Sequence, residues 1–363
     1  MSTQPQNGYS QTPVRNERSI DLRSDTITHP SAEMRQAMAN AIVGDDVYKE
    51  DTTTIDLEKR CAKIFGKEAG LFVVSGTMGN LLALMAHCQR GDEIIVGRQN
   101  HIHRAEQGNY AQIGGISANI IDCNDDGTMN LDDIEGAIRV KDCHMPSTRL
   151  ICIENTHNYM GGKALPTEWM SSVQKIAEKH SLKIHMDGAR IYNAATALNL
   201  SVAEVASYAD TVQMCFSKGL GAPIGSIIVG SNEFIKKARH IRKAIGGGWR
   251  QSGVIAAAAH VALDHAQVTI TKDHERASKL AKMINDATPN AFKSRIFAQD
   301  KDITNMVFVH CQEVQKFKQF FQERDVLVMA FDSKRIRMVL NWGVTDEHLD
   351  KIVNVYKEYV NQL

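Results

Sequence analysis

The sequence predicts an α/β fold: a mostly parallel sheet with helices on both faces, followed by a small C-terminal α+β domain. Three observations carry this. Short apolar runs alternate with amphipathic helical patterns along most of the 363 residues, as consecutive β-α units require. The chemically distinctive residues fall just past the ends of those runs, where open sheets of this kind gather ligands. Near the end the pattern changes to neighbouring strands bracketed by helices.

In order, the predicted strands are Leu71–Val74, Glu93–Gly97, Ile116–Ile121, Leu150–Glu154, Leu182–Met186, Thr211–Phe216 and Ser226–Val229. Helical spacing of apolar residues appears between them, as at Leu81, Leu82, Met85 and Cys88, and over Trp169–His180. An Ala-rich helix over 253–266 and a charged helix over 271–285 bridge to a second domain. That domain takes Asn305–His310, a helix, Val326–Ala330, Arg335–Leu340 and a last helix from Thr345. The expected division is a disordered polar tail over 1–19, a large domain with its N-terminal segment over 20–265, and the bridging helix with the small domain over 266–363. The tail has no apolar stretch of the kind a secretory signal needs.

Lysine plus arginine and aspartate plus glutamate both number 42, so no net field exists to hold nucleic acid or an anionic membrane. No run approaches the ~20 uninterrupted apolar residues of a spanning helix. The most apolar, Val254 to Leu263, is broken by His260. Seven cysteines with no CxxC pair, several inside apolar runs, read as reduced core thiols in a cytoplasmic protein.

Ser217-Lys218-Gly219-Leu220-Gly221 follows the run Thr211–Phe216. A lysine in a Gly-rich loop at a strand end can be desolvated and become a Schiff-base amine, although a solvated surface lysine reads the same way. Asp187-Gly188-Ala189-Arg190 closes the preceding run, one β-α-β unit earlier. A buried carboxylate there can pair with a protonated heteroaromatic nitrogen, and an Asp-Gly turn is the plainer alternative. Ser75-Gly76-Thr77-Met78-Gly79-Asn80 opens a helix with small residues, leaving amides free for an anion, and lacks the ending of a nucleotide-triphosphate loop. His101-Ile102-His103-Arg104, with Glu106 nearby, suits ring stacking or acid–base work better than a metal, so no metal is expected. Glu154-Asn155-Thr156-His157-Asn158 forms a polar cluster at a strand end. Arg250 follows three glycines and is a ready phosphate partner, whereas Arg335 and Arg337 share one strand face. His144, before Met145-Pro146, says nothing by itself.

Together these motifs resemble the low-specificity L-threonine aldolases, also called L-allo-threonine aldolases, which use pyridoxal 5'-phosphate on the aspartate-aminotransferase fold (fold type I). The resemblance runs from about Ile20 to the C-terminus. It rests on Ile20-Asp-Leu-Arg-Ser-Asp-Thr26, Gly44-Asp-Asp-Val-Tyr48, Gly76-Thr77, His101, Glu154-Asn-Thr-His-Asn158, Asp187-Gly-Ala-Arg190, Ser217-Lys-Gly-Leu-Gly221 and Gly246-Gly-Gly-Trp-Arg-Gln-Ser252. It implies that Lys218 is the lysine bonded to the cofactor, Asp187 the pyridinium partner and His101 the imidazole stacked on the ring. Gly76 and Thr77 match the phosphate loop, and Arg250 an arginine reaching the phosphate in a neighbouring subunit. Ser24, Arg190 and Arg337 match the set holding the amino acid's carboxylate. His144 matches a second histidine near the β-hydroxyl.

The implied reaction is retro-aldol cleavage of L-threonine or L-allo-threonine to glycine and acetaldehyde through an external aldimine, with His101 or His144 as base. A homotetramer of dimers that share active sites is implied too. The alternative on the same fold is β-elimination from another β-substituted amino acid. The tail is longer than in many relatives, Tyr159-Met160-Gly161-Gly162-Lys163 is longer than in some, and Leu340-Asn341 stands where relatives often have Thr-His.

Overall fold

A computed structural model describes residues 16, 18–299 and 301–363. Most of the expected tail therefore lies outside the described residues, but Asn16 Nδ2 donates to Asp325 Oδ1 at 2.7 Å. In chain order the strands are β1 (Ile20–Asp21), β2 (Ala69–Val73), β3 (Glu93–Gly97), β4 (Ser117–Ile121), β5 (Thr148–Glu154), β6 (Lys183–Asp187), β7 (Thr211–Cys215) and β8 (Ser226–Gly230). After a long helix come β9 (Phe297–Ala298), β10 (Met306–His310), β11 (Val326–Leu327), β12 (Met329–Ala330) and β13 (Arg335–Val339). The described residues form two compact units, one of His29–Gln267 and one of Val268–Leu363 together with those described up to Thr28.

In the larger unit the sheet order is β2-β8-β7-β6-β5-β3-β4. All pairings are parallel except those of β8, which runs against both β2 and β7. Two reversals cancel, so the carboxyl ends of β2, β3, β5, β6 and β7 share one edge. The fully buried cores of these strands need cover on both faces, and the helices supply it. Leu71 and Val73 of β2 pack with Leu82, Ala83, Ile235 and Ala238 from the helices Gly76–His87 and Asn232–Ala244. On the other face, a Cβ at Gly70 would stand 2.8 Å from Glu58 O of the helix Thr52–Phe65, so only glycine lets that helix lie so close. That helix begins where the Asp51 side chain accepts from Thr54 N and ends at Gly66 with φ 62°.

The smaller unit has an antiparallel sheet, order β12-β13-β10-β9, over a core that includes Leu280, Ile284, Phe317, Tyr356 and Tyr359. The N-terminal segment belongs to this unit and not to the large domain. β1 pairs in parallel with β11, and Leu22 exchanges bonds with Leu327 and Val339 across 2.8 Å each. A two-residue strand leaves no periodicity to read, which is why the sequence does not announce it. The run Val326–Ala330 likewise splits at Val328, because β11 serves β1 and β12 serves β13.

The expected bridging pair is one helix of 35 residues, Gly253–Ala287. No glycine or proline interrupts 254–287, so nothing stops it at 266. By length and composition it is long and apolar enough to cross a bilayer, yet 56% of its apolar window is buried inside the fold. All seven cysteines are free thiols, five of them buried.

Candidate active site

The edge formed by the carboxyl ends of the parallel strands carries most of the singled-out residues. Glu154 and Asp187 are the last residues of β5 and β6, and they face each other in the ladder. Both are buried. Asp187 Oδ1 accepts from the amide of Ala189 at 3.1 Å, and Oδ2 from Asn80 Nδ2 at 2.9 Å. Glu154 accepts from the amides of His101 (2.5 Å) and Asn158 (2.8 Å).

His101 opens the short helix His101–Arg104 beyond β3, and its Nδ1 meets Glu106 Oε1 at 2.8 Å. Burial opposes the imidazolium, but the Glu106 hydrogen bond and the nearby charges of Asp187, Glu106 and Glu154 outweigh it and raise the pKa. Burial pushes the Glu106 carboxyl up as well, against the hydrogen bonds from His101 and Asn80. With Nδ1 engaged by Glu106, Nε2 is the ring nitrogen left to meet a ligand. His103, by contrast, bonds Tyr110 at 3.0 Å and is turned to that use.

Gly76 and Thr77 begin the helix Gly76–His87, with the Ser75 side chain accepting from Met78 N at 3.2 Å. A Cβ on Gly76 would lie 2.8 Å from Cys215 Sγ and 2.9 Å from Gln213 Nε2, so the missing side chain brings the helix's amino end against β7. A twelve-residue helix presents its amides and its positive end there. Lys218, half-buried, lies in the turn between β7 and β8, which is closed by Phe216 N to Gly225 O at 3.0 Å and Gly221 N to Lys218 O at 2.9 Å. Arg190, buried, precedes the helix Ile191–Leu198 and bonds Asn158 Oδ1 at 3.5 Å.

Two expected residues stand away from this cluster. Arg250 is exposed and pairs with Asp45 at 3.2 Å. His144 is exposed on its loop and bonds Asp142 at 2.7 Å and Cys143 Sγ at 3.4 Å. Ser24 and Arg337 belong to the smaller unit, where they are brought together: Arg337 Nη2 donates to Arg23 O at 3.0 Å. The Ser24 hydroxyl there accepts from Thr26 N at 3.2 Å and Thr26 Oγ1 at 2.9 Å. Arg335 is instead paired with Asp332 at 2.7 Å and lies over Phe331.

Residues 21–313 match the model of a family described as beta-eliminating lyase. The chain belongs to the beta-eliminating lyase family. An uncharacterized protein of Caenorhabditis elegans is 70% identical over 98% of this chain and 87% of its own length. Low-specificity L-threonine aldolase 1 of Arabidopsis thaliana is 44% identical over 94% of this chain and 96% of its own. The fold is also that of the threonine aldolase of Leishmania major, with a TM-score of 0.76 at 18% identity, covering 94% of this chain and 99% of that one.

A pyridoxal phosphate site in this beta-eliminating lyase would draw on groups of the right kind: an amine at Lys218, a buried carboxyl group at Asp187, a flat ring at His101 and a helix amino end at Gly76 and Thr77. The Cβ-free cradle at Gly76 is the observation that tests the fit, because it places the helix dipole against the strand that leads to Lys218. Asn80 and Gln213 were not singled out as site residues. Asn80 carried a signal, since it lies one helical turn beyond Gly76 on the same helix face.

Proposed function

We propose that this chain is a pyridoxal-phosphate-dependent aldolase, an aldehyde-lyase that cleaves L-threonine or L-allo-threonine to glycine and acetaldehyde. The observation that carries it is the linked set His101, Glu106, Asn80 and Asp187 beside Lys218 at one sheet edge. The cofactor, when bound, supplies an electron sink for the pair left at Cα. Lys218 would hold the cofactor through its amine, and Asp187 would pair with the ring nitrogen. Gly76, Thr77 and, from a neighbouring copy, Arg250 bind the phosphate. Arg190 takes the substrate carboxylate, a role the family resemblance gives to Ser24 and Arg337 as well, and so fixes the angle of the Cα–Cβ bond. His101, through Nε2, removes the proton from the β-hydroxyl, and His144 is its rival for that step.

The reading extends to a cytoplasmic homotetramer, a dimer of dimers with shared sites. Free thiols support the compartment. Exposed Ile42, Val43, Val47, Tyr48 and Val254 support self-association, because Asp46 N bonded to Arg250 O gathers them beside Arg250.

A product assay on the cofactor-loaded protein with L-threonine and L-allo-threonine, given separately, tests the reading. The expected outcome is equal glycine and acetaldehyde. Ammonia and 2-oxobutanoate without glycine would instead favour β-elimination, the second reading, which the matched family description keeps in view.

A further inference from the structure

A continuous chain of buried hydrogen bonds lies behind Asp187. Asn80 Nδ2 donates to two carboxylates, Asp187 Oδ2 and Glu106 Oε1, at 2.9 Å each. Both partners accept, which fixes the orientation of the amide, and Asn80 Oδ1 therefore faces His185 Nε2 at 3.0 Å. That nitrogen must carry a proton. His185 Nδ1 then accepts from the Thr211 hydroxyl at 3.0 Å, and Thr211 Oγ1 in turn accepts from His87 Nε2, also at 3.0 Å. Asn80, His185 and Thr211 are buried, at 1%, 0% and 1% exposure. Burial pushes His185 down to about 4 and His87 to about 3, so both rings are neutral near pH 7 and each has one N–H to give. Every donor in the chain, from His87 through Thr211, His185 and Asn80, points toward the two carboxylates. His101 Nδ1 closes the set from the other side by donating to the same Glu106 oxygen.

We infer that Asn80 is a positioning residue for the reaction: one side-chain amide, locked by neutral His185, holds both the partner of the cofactor ring and the partner of His101. Two roles that the sequence separates are thus set by a single group. Rotation of Asn80 would release Asp187 and let the Glu106–His101 pair turn with it. Bonds that polarise one another in sequence reinforce such an arrangement, and a neutral chain can do so without placing a charge behind the ring. The assignment rests on the proposed function, since Asp187 and His101 matter to chemistry only under that reading.

The test uses the full-length, cofactor-loaded enzyme. Ring nitrogen NMR of 15N-histidine-labelled protein should find His185 as the Nε2–H neutral tautomer. An Nδ1–H tautomer, or an imidazolium at pH 7, would reverse the chain and overturn the inference. Asn80→Ala should lower kcat roughly 10- to 100-fold while KM moves less than about threefold, as misplaced catalytic groups do. The visible absorbance of the bound cofactor should change as well. His185→Leu should follow it, whereas His185→Gln, which can still donate and accept, should restore kcat to within about threefold of wild type. Unchanged kcat and spectrum in Asn80→Ala would refute the role. So would equal losses in His185→Gln and His185→Leu. If the wild type neither takes up the cofactor nor cleaves hydroxy amino acids, the proposed function falls, and the tautomer still decides whether the chain runs as drawn.

Discussion

His101 shows how a side chain's meaning depends on partners that sequence places far away. Its pairing with Glu106 is local, but Glu106 is tied to Asn80 across 26 positions, and Asn80 reaches Asp187 across 107. Lys218, Asp187 and His101 were legible because each follows an apolar run, and a strand end is where such chemistry collects. Asn80 offers only its spacing of one turn from Gly76, which places it on the right helix face but says nothing of the two carboxylates it reaches. In the sequence Glu106 stands out only as a neighbour of two histidines. The pair yields a prediction. Because the pKa of His101 is raised, kcat/KM should fall as pH drops through that raised value, when the imidazole takes a proton and can no longer act as base. Glu106→Gln removes the carboxylate, so the acid limb should move to lower pH. A pH–rate profile of the two proteins checks this, and an unmoved limb would pass the base role to His144.

At the scale of elements, the seven strands of the large sheet were readable from their apolar runs to within two residues at either end. β1, β9 and the split between β11 and β12 were not, since strands of two residues are made by their partners and not by their own pattern. The helix Gly253–Ala287 carries a further lesson in Asp273. It is fully buried, and neither carboxylate oxygen has a hydrogen-bond partner among the described residues. Burial, then the charge of Asp25, raises its pKa to about 8, against the pull of Arg276. A folded pKa above the unfolded value of about 3.9 means the native state binds the extra proton between the two, so stability falls as pH rises across that window. Asp273→Asn carries no charge to bury. Relative to wild type it should gain about 2–4 kcal/mol between pH 5 and pH 9 by denaturant unfolding, an order-of-magnitude figure. Identical differences at the two pH values would show that Asp273 does not ionise there.

At the scale of the molecule, composition placed the chain among neutral globular proteins, and the β-α alternation gave the larger unit's architecture. What it could not give was the allegiance of the N-terminal segment, which is decided by backbone pairing across some 300 positions at Ile20 and Val326. Exposed Ile42 (73%) and Tyr48 (75%) are unusual for side chains of their size, and under the proposed assembly they would meet a second copy. Tyr48→Asp combined with Ile42→Asp should convert a four-chain species to smaller ones by sedimentation. Activity should fall with it, because Arg250 sits against the same segment. A tetramer that survives both substitutions would locate the contact elsewhere.

The reversal of β8 has a consequence for how the protein comes apart. Lys218 rides on a loop whose two ends enter the same ladder, Met214 opposite Ile227 and Cys215 opposite Ser226. Followed in either direction, the chain leads back to one pair of strands. Native-state amide exchange should therefore find 212–216 and 226–229 opening together as a single cooperative unit, with one shared free energy and one denaturant dependence. Fraying of either strand by itself would not set the lysine loose. The residue that would bond the cofactor is thus lost only when an interior pair of the sheet is lost, and inactivation on mild warming would begin in other parts of the chain.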